Sequence, residues 1–487
     1  MTKMISTFLF LTTVVAAPVL AGTGATVVYP TGIFPDDVVN VFNATRAGGK
    51  VVLKATDTSG TPRSFEFGGG WVRLPLDTTI VGENVHHQMT TIHRGGLPFR
   101  DAGVPAHIAI RGIHFDAPIG AALYLNWASG VEFTDNIVTD VVGIQFGPYT
   151  KGQGVWLAEL QAPFFTPSFI TGTIVIAHNT VQRVYADLSY GVALAGVHAK
   201  ARIMGNSFID TRDTGVLVVG DSEPFLIEDN VIVAGDGPFP GFFSAGNGIF
   251  TGQGSGAAFI RRNTIFTGNP DSDGIALSGC LEVDCGPGMV QGASVVERNL
   301  VSMHTSQFGG ITTYGAVLPS LIRRNTVVGD AAYALDISSY VGDESVGGFV
   351  FLRNDVRAFT GSVADVFFDS VAHDTIFVGR ATSAVDLGAN DVLVSSYAEL
   401  SQMAKSRVAA AFLSRAALLQ QLRQCFSDAS DGETDPSADL SADLTPLTIV
   451  PQVTARLNRQ FTSGEIRGRL ALRARSATEP PQETWLR

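Results

Sequence analysis

Two aspartates in this 487-residue chain stand where paired acid–base chemistry would need them. Asp273 directly precedes Gly274, a landmark glycine that recurs at the same place in several sequence repeats. Asp336 lies two repeats further on, two residues after Ala334, which stands at the equivalent landmark position. If the repeats stack as strands, two of them rise by about 10 Å, near the upper end of the separation at which one carboxyl acts as an acid while another activates water. We therefore take Asp273 and Asp336 as candidate catalytic residues. Ordinary turn chemistry is the alternative, because Asp-x-Asp-Gly is also a common turn sequence.

Aromatic and amide side chains occupy the same landmark position in other repeats, namely Tyr190, Asn247 and Tyr333. Rings stack on the apolar faces of sugars, while amides and carboxylates take the hydroxyl groups. The row therefore predicts a saccharide-binding groove. The alternative is that loops fold over these positions and extend the core.

A second row is basic and consists of Arg262, Arg298, Arg324 and Arg353. A guanidinium group pairs bidentately with planar oxyanions, so this row suits a glycan that carries carboxylate or sulfate groups. In the alternative interpretation the arginines form a solvated turn edge, and Glu228 or Glu297 balances their charge.

Histidines are concentrated in the early part of the chain, at His86, His87, His93, His107 and His114. Their spacing matches no standard metal-binding signature, so we predict no metal site. The sequence also contains no phosphate-binding glycine loop, and we predict no cofactor.

These residues are positioned by a repeat that occurs eight times between residues 131 and 356. It consists of an apolar residue, two variable residues, an asparagine, one further residue and a second apolar residue. The asparagines are Asn136, Asn179, Asn206, Asn230, Asn263, Asn299, Asn325 and Asn354. Apolar residues between them alternate in short runs, which is the period of strands. The chain is therefore predicted to be a β-solenoid in which stacked amides form an internal asparagine ladder.

This repeat resembles the right-handed parallel β-helix of the pectate-lyase-like superfamily. The resemblance covers about residues 25 to 395 and implies an all-β solenoid with an N-terminal cap helix and a C-terminal helix. Residues 271–275 are similar to a strand of polygalacturonases in which the aspartate takes part in hydrolysis. The further polygalacturonase motifs are missing, as are the pectate lyase signatures, so the resemblance does not select a reaction.

The ends of the chain predict export and capping. Residues 1–21 have the pattern of a signal peptide, so we expect a secreted or periplasmic protein without a membrane span. We assign residues 22–395 to the solenoid, 396–426 to a capping helix against the last coil, and 427–487 to a linker and disordered tail. In an oxidising compartment Cys280 and Cys285 are expected to form a disulfide, with two free thiols as the alternative, and Cys425 is expected to be unpaired and buried.

The net charge of −12 argues against nucleic acid as a partner. The favoured hypothesis is a monomeric, exported protein that binds or modifies a polysaccharide or cell-surface glycan, as a hydrolase or a lyase. A noncatalytic adhesin or envelope scaffold is the first alternative. A carrier of a metal or small ligand is the second.

Overall fold

The computed structural model describes residues 24–395 and 405–426, apart from 47, 71, 73–76, 86–87, 100–105, 147–148, 158–168, 235–245, 253, 269–270, 280–289, 316 and 339–345. The predicted signal peptide, linker and tail lie outside the described residues. The same holds for His86, His87, Cys280 and Cys285.

The predicted right-handed parallel β-helix is confirmed. Each coil contributes one strand to each of three parallel sheets, and within the described residues the only strand pair that runs antiparallel is β13 with β14. The turn with the ladder asparagine separates sheet 1 from sheet 2, and the landmark glycine begins the part of the coil that lies in sheet 3.

Sheet 1 contains the strands that end before the asparagines. They are β1 (Thr26–Val28), β2 (Gly49–Lys54), β4 (Thr78–Glu83), β7 (His107–Arg111), β11 (Gly130–Thr134), β15 (Phe169–Ala177), β18 (His198–Met204), β21 (Phe225–Glu228), β24 (Ala258–Arg261), β27 (Val295–Glu297), β29 (Leu321–Arg323), β32 (Val350–Leu352), β36 (Ile376–Val378) and β38 (Val392–Val394), with β10 (Trp127–Ala128) paired to β15.

Sheet 2 contains the strands that follow the asparagines. They are β3 (Phe65–Glu66), β5 (Thr90–His93), β8 (Ile113–Asp116), β12 (Ile137–Val142), β16 (Thr180–Tyr185), β19 (Ser207–Thr211), β22 (Val231–Ala234), β25 (Thr264–Thr267), the first parts of β28 (Leu300–Tyr314) and β30 (Thr326–Ser338), and β33 (Phe359–Gly361).

Sheet 3 contains β6 (Leu97–Phe99), β9 (Ala121–Leu125), β14 (Tyr149–Leu157), β17 (Leu188–Ala195), β20 (Thr214–Val219), β23 (Ile249–Gly252), β26 (Ile275–Ser278), the second parts of β28 and β30, β34 (Val366–Phe368) and β37 (Ala384–Asp386). Outside the three sheets, β13 (Ile144–Phe146) pairs with β14, and β31 (Val346–Gly347) pairs with β35 (Ala372–His373).

The core is a column of apolar side chains that the three sheets enclose. In one coil it receives Ile203 from sheet 1, Phe208 from sheet 2 and Val216 from sheet 3, and all three are fully buried. Successive coils place equivalent residues directly above them, because the strands pair in register. Each coil therefore buries its apolar face only by stacking on its neighbours.

The eight repeat asparagines form one continuous buried ladder. In the first seven, the side-chain amide nitrogen donates to the amide oxygen of the next asparagine at 2.9–3.2 Å. It also donates to a main-chain carbonyl of the preceding coil, as Asn263 does to Ile227 at 2.9 Å. The amide oxygen in turn accepts from the main-chain N–H of the preceding asparagine. The ladder thus satisfies polar groups that would be costly to bury alone.

The residue before each ladder asparagine has a left-handed backbone, with φ between 52° and 64°. This holds for Asp135, His178, Gly205 and Asp229 in the earlier coils, and for Arg262, Arg298, Arg324 and Arg353 in the later ones. The conformation is therefore imposed by the turn and not by the side chain, although it is unfavourable for most residues other than glycine.

The first coil is closed by α1 (Asp36–Thr45), which agrees with the helix predicted there. Its Asp37 carboxylate is fully buried and accepts hydrogen bonds from the main-chain N–H groups of Thr31, Gly32 and Glu66 at 2.6–2.9 Å. These bonds tie the helix to the chain before it and to β3, so Val41 can pack into the core.

The C-terminal helix α2 (Lys405–Phe426) is placed differently from the prediction. Its Leu419, Leu422 and Phe426 share one buried cluster with outward-facing residues of sheet 1, which extend from Leu226 on β21 to Val394 on β38. The helix therefore lies on the outer face of sheet 1 beside β32, and not at the last coil alone. Cys425 is a free cysteine and is half-buried. Neither described helix is long and apolar enough to cross a bilayer.

Beside this cluster, sheet 1 carries buried ion pairs on its outer face. Arg323 lies 2.6 Å from Glu297, and both side chains are at most 1% exposed. One step earlier in the stack, Arg261 lies 2.7 Å from Glu228. Acidic and basic residues thus alternate over four strands, so each charge has a partner in a place with little access to water.

Replacing Asn263 with leucine should lower the free energy of unfolding by roughly 1–3 kcal/mol, because amide partners on both sides of the ladder would lose a buried hydrogen bond. Urea unfolding measures this loss. The control is Asn40→Leu, since Asn40 is exposed on α1. An Asn263 variant as stable as the wild type would show that the ladder contributes no net stability.

Replacing Arg323 with methionine should cost about 3–5 kcal/mol of unfolding free energy, because Glu297 would remain buried without a counterion. The double variant Arg323→Met, Glu297→Leu should recover most of that loss. Arg357→Met serves as a control, since it removes an exposed ion pair with Asp355 and should cost less than about 1 kcal/mol. Equal losses for the single and double variants would contradict the prediction.

Candidate functional site

The outer face of sheet 3 carries two parallel rows of side chains that come together at Asp273 and Asp336. Ala276 of β26 pairs with Thr312 of β28, which pairs with Asp336 of β30. Asp273 stands three residues before Ala276, at the entry to β26. The two aspartates therefore belong to one face and are two coils apart.

The Asp273 carboxylate reaches toward the next coil and is held there by three donors. One oxygen accepts from the Thr312 hydroxyl at 2.6 Å, from the Gly309 N–H at 3.1 Å and from the Tyr314 hydroxyl at 3.1 Å. On the opposite side, the main-chain N–H of Asp273 donates to the amide oxygen of Asn247 at 2.8 Å. Asn247 therefore orients the backbone of Asp273 and does not extend into an open groove, because it is itself buried.

Because Asp273 leans toward Thr312, which is the strand neighbour of Asp336, the two carboxyl groups are closer than two coils would imply. Their separation lies between one and two strand spacings, or about 5–10 Å. This interval includes the carboxyl separations used by retaining and by inverting glycosidases.

Burial changes the acidity of the whole cluster. It raises the pKa of Asp273 to about 6, against the opposing effect of its three hydrogen bonds. It raises the pKa of Asp336 well above the usual range of a carboxyl, although Ser338 donates to that carboxyl at 2.6 Å, and the charges of Asp273 and Asp369 raise it further. Burial and the two aspartates also raise the pKa of Tyr314, which stays protonated and can donate to Asp273. The site therefore holds one carboxyl that favours the protonated form beside one that ionises near neutral pH.

A half-buried aromatic pair borders the cluster. Tyr333 stacks on Phe367 of the next coil with ring centroids 4.8 Å apart. Burial raises the pKa of Tyr333, and the charges of Asp336 and Asp369 add to this effect. The pair is thus close to Asp336 and is accessible enough to stack on a sugar ring.

Tyr190 is not brought into this site. It lies three coils earlier and packs in an outer apolar cluster with Trp156, Leu217 and Phe250, all of which are less than a tenth exposed. This stretch of sheet 3 is covered, so it is not an open saccharide groove. The alternative interpretation, in which these positions extend the core, describes it better.

The arginine row lies on a different edge of the solenoid. Arg262 precedes sheet 2, and the whole of β25 separates it from Asp273. Its guanidinium pairs with Asp229 at 3.1 Å and with Glu228 of the preceding coil. Arg262, Arg298, Arg324 and Arg353, each next to a ladder asparagine, therefore lie apart from the carboxyl pair. Recognition of an anion by the row stays a separate prediction.

Of the predicted histidines that the structure describes, two pair with carboxylates, and His114 lies 3.0 Å from the Thr139 hydroxyl. His93 lies 2.8 Å from Asp116, and His107 lies 3.6 Å from Glu132. Within the described residues, no group of three or more histidine, cysteine, aspartate or glutamate side chains has the spacing to hold a metal ion.

Tyr314 and Ser338 belong to the site but were not recognised in the sequence. They lie four residues after the landmark position, in an outward row that reads Val219, Gly252, Ser278, Tyr314 and Ser338. The row changes from apolar to hydroxyl-bearing residues where the carboxyl groups occur. Extending the alignment by two residues would have found them.

Comparison with known proteins gives no family. No family model and no curated protein matches the chain. Among solved structures it is similar to the A-module of the mannuronan C-5 epimerase AlgE4 from Azotobacter vinelandii, at 14% identity over 73% of this chain and 94% of that one, with a TM-score of 0.35. It is also similar to the Dettilon tailspike protein gp208, at 13% identity over 75% of this chain and 68% of that one, with a TM-score of 0.28. Likeness this distant assigns no residue a role.

The raised pKa of Asp273 makes stability depend on pH in a defined direction. The folded chain holds this proton up to about pH 6, whereas an unfolded chain releases it near pH 3.9, so the wild type loses stability as the pH rises from 4 to 6. Asp273→Asn cannot titrate. The unfolding free energy of the variant minus that of the wild type should therefore increase by up to about 3 kcal/mol as the pH rises from 4 to 7. Urea unfolding across this range measures the shift, and parallel pH curves would contradict it.

Proposed function

We propose that this chain is an exported protein that binds a polysaccharide on the outer face of sheet 3 and cleaves it with Asp273 and Asp336. The observation that carries the proposal is the cluster itself. Two carboxyl groups of different acidity lie on the outer face of sheet 3 close enough for their charges to interact, the Tyr314 hydroxyl donates to one of them, and an aromatic pair stands beside the other.

The acidities suggest a role for each carboxyl. Burial raises the pKa of Asp336 well above its ordinary value, which favours the protonated form and suits it to protonate the departing glycosidic oxygen as a general acid. Asp273 is ionised above about pH 6 and is suited to act as the base that activates water. Tyr314 and Thr312 hold Asp273 in place, and Tyr333 offers a stacking surface for a sugar ring.

One observation favours a noncatalytic scaffold as the second candidate. Asp273 and Asp336 are only 6% and 2% exposed, and the donors that hold the Asp273 carboxylate are neutral groups of the protein itself. In that case the cluster would only fill the outer face of the sheet. Substrate would have to reach the carboxyl groups for the catalytic proposal to hold.

The decisive experiment screens the purified chain against neutral glycans, polyuronates and sulfated glycans, and scores new reducing and unsaturated ends. With a productive glycan, Asp336→Asn and Asp273→Asn should each lower kcat by roughly 10²–10⁴-fold, the usual contribution of a general acid or base. Asp330→Asn is the matched control, since Asp330 lies on the same strand but is exposed and pairs with His304. A chain that releases no product, with variants that only change the melting temperature, would favour the scaffold.

A further inference from the structure

The basic side chains of the later coils are confined to one edge of the solenoid. Between residues 213 and 379 the chain has no lysine and seven arginines, and each of the seven lies within three residues of a ladder asparagine. They are Arg261, Arg262, Arg298, Arg323, Arg324, Arg353 and Arg357. Basic residues in this half of the protein are therefore restricted to the turn between sheets 1 and 2 and its flanks.

The outer face of sheet 3 carries carboxyl groups and, among the described residues 213–379, no arginine or lysine. Asp273, Asp336 and Asp369 occupy three of four successive coils on this face, because Asp369 continues the row of Tyr314 and Ser338. In the described part of the chain their hydrogen-bond donors are hydroxyl and main-chain N–H groups. The charges of Asp273 and Asp369 both raise the pKa of Asp336, as expected for like charges that repel one another.

We propose that the carboxyl cluster on sheet 3 accepts an uncharged saccharide and rejects uronates, so that its reaction is hydrolysis and not elimination. This inference rests on the proposed function and narrows its substrate class. A uronate bound here would bring a further negative charge against ionised carboxylates in a poorly hydrated place, where like charges repel strongly. Sugar hydroxyl groups, in contrast, can donate to those carboxylates.

The same charge pattern decides between the two reactions. Elimination removes a ring proton next to a sugar carboxylate, and positive charge beside that carboxylate favours the step because it stabilises the negative charge that develops there. No arginine or lysine of the later coils lies on this face. Hydrolysis needs none: a water O–H bond breaks as its proton passes to Asp273, the water oxygen bonds to the anomeric carbon, and the glycosidic oxygen leaves with the proton of Asp336.

The test compares oligosaccharides of glucose, mannose and xylose with oligogalacturonate and oligomannuronate of matched length, at pH 7 and low salt. Binding is measured by calorimetry and turnover by new reducing or unsaturated ends. The full chain is used with Arg298→Ala and Arg324→Ala in the background, so that the arginine row cannot retain uronates at the other edge. At least one neutral oligosaccharide should bind ten-fold or more tightly than either uronate, and its products should be saturated.

Two further measurements separate charge repulsion from simple misfit. Added salt should narrow the preference for the neutral sugar, because screening weakens repulsion. Asp369→Asn should narrow it a few-fold as well, since Asp369 adds charge to the cluster, whereas Asp330→Asn should leave it unchanged. Tighter binding of a uronate, or unsaturated ends as products, overturns this inference alone. Absence of binding to any of the sugars overturns it together with the proposed function.

Discussion

The asparagine ladder is the constraint on which the rest of the structure depends. A buried amide must find partners for both its nitrogen and its oxygen, and here each finds them in the coils directly before and after it. That requirement fixes the rotation of every coil against its neighbours, and a slip of one residue would leave two amides unpaired and turn the apolar side chains outward. Insertions are consequently confined to the connections, where they do not disturb the stack.

Fixed rotation turns a sequence alignment into a set of straight rows, and each row has its own chemistry. On the turn that holds the ladder, a left-handed backbone tolerates aspartate, histidine, glycine or arginine alike, so the row can become basic without any change of fold. On sheet 3 the carboxyl groups of Asp273 and Asp336 are joined by the hydroxyl groups of Tyr314 and Ser338. The arginines of the later coils pair with acidic residues at the turn, and so the carboxyl cluster on sheet 3 remains without one of them as a partner.

The sequence was sufficient for the fold and for the rows, because the asparagine spacing and the alternating apolar residues both depend on local geometry. It could not reveal burial on the outer face, which depends on what covers a strand. For that reason Tyr190 was predicted in an open groove but lies in a packed cluster. The sequence also could not place α2, because the apolar residues of this helix suit any apolar surface. Nor could it give the distance between the arginines and Asp273, because that distance depends on where the turns of each coil lie.

The position of α2 has a consequence for how the molecule comes apart. In a simple solenoid each coil contacts only its two neighbours, so unfolding can start at one end and proceed coil by coil. The cluster that contains Leu419 and Leu422 includes residues of seven strands, from β21 to β38, and so links coils that do not contact one another directly. We therefore expect the coils that share this cluster to unfold together as one cooperative unit.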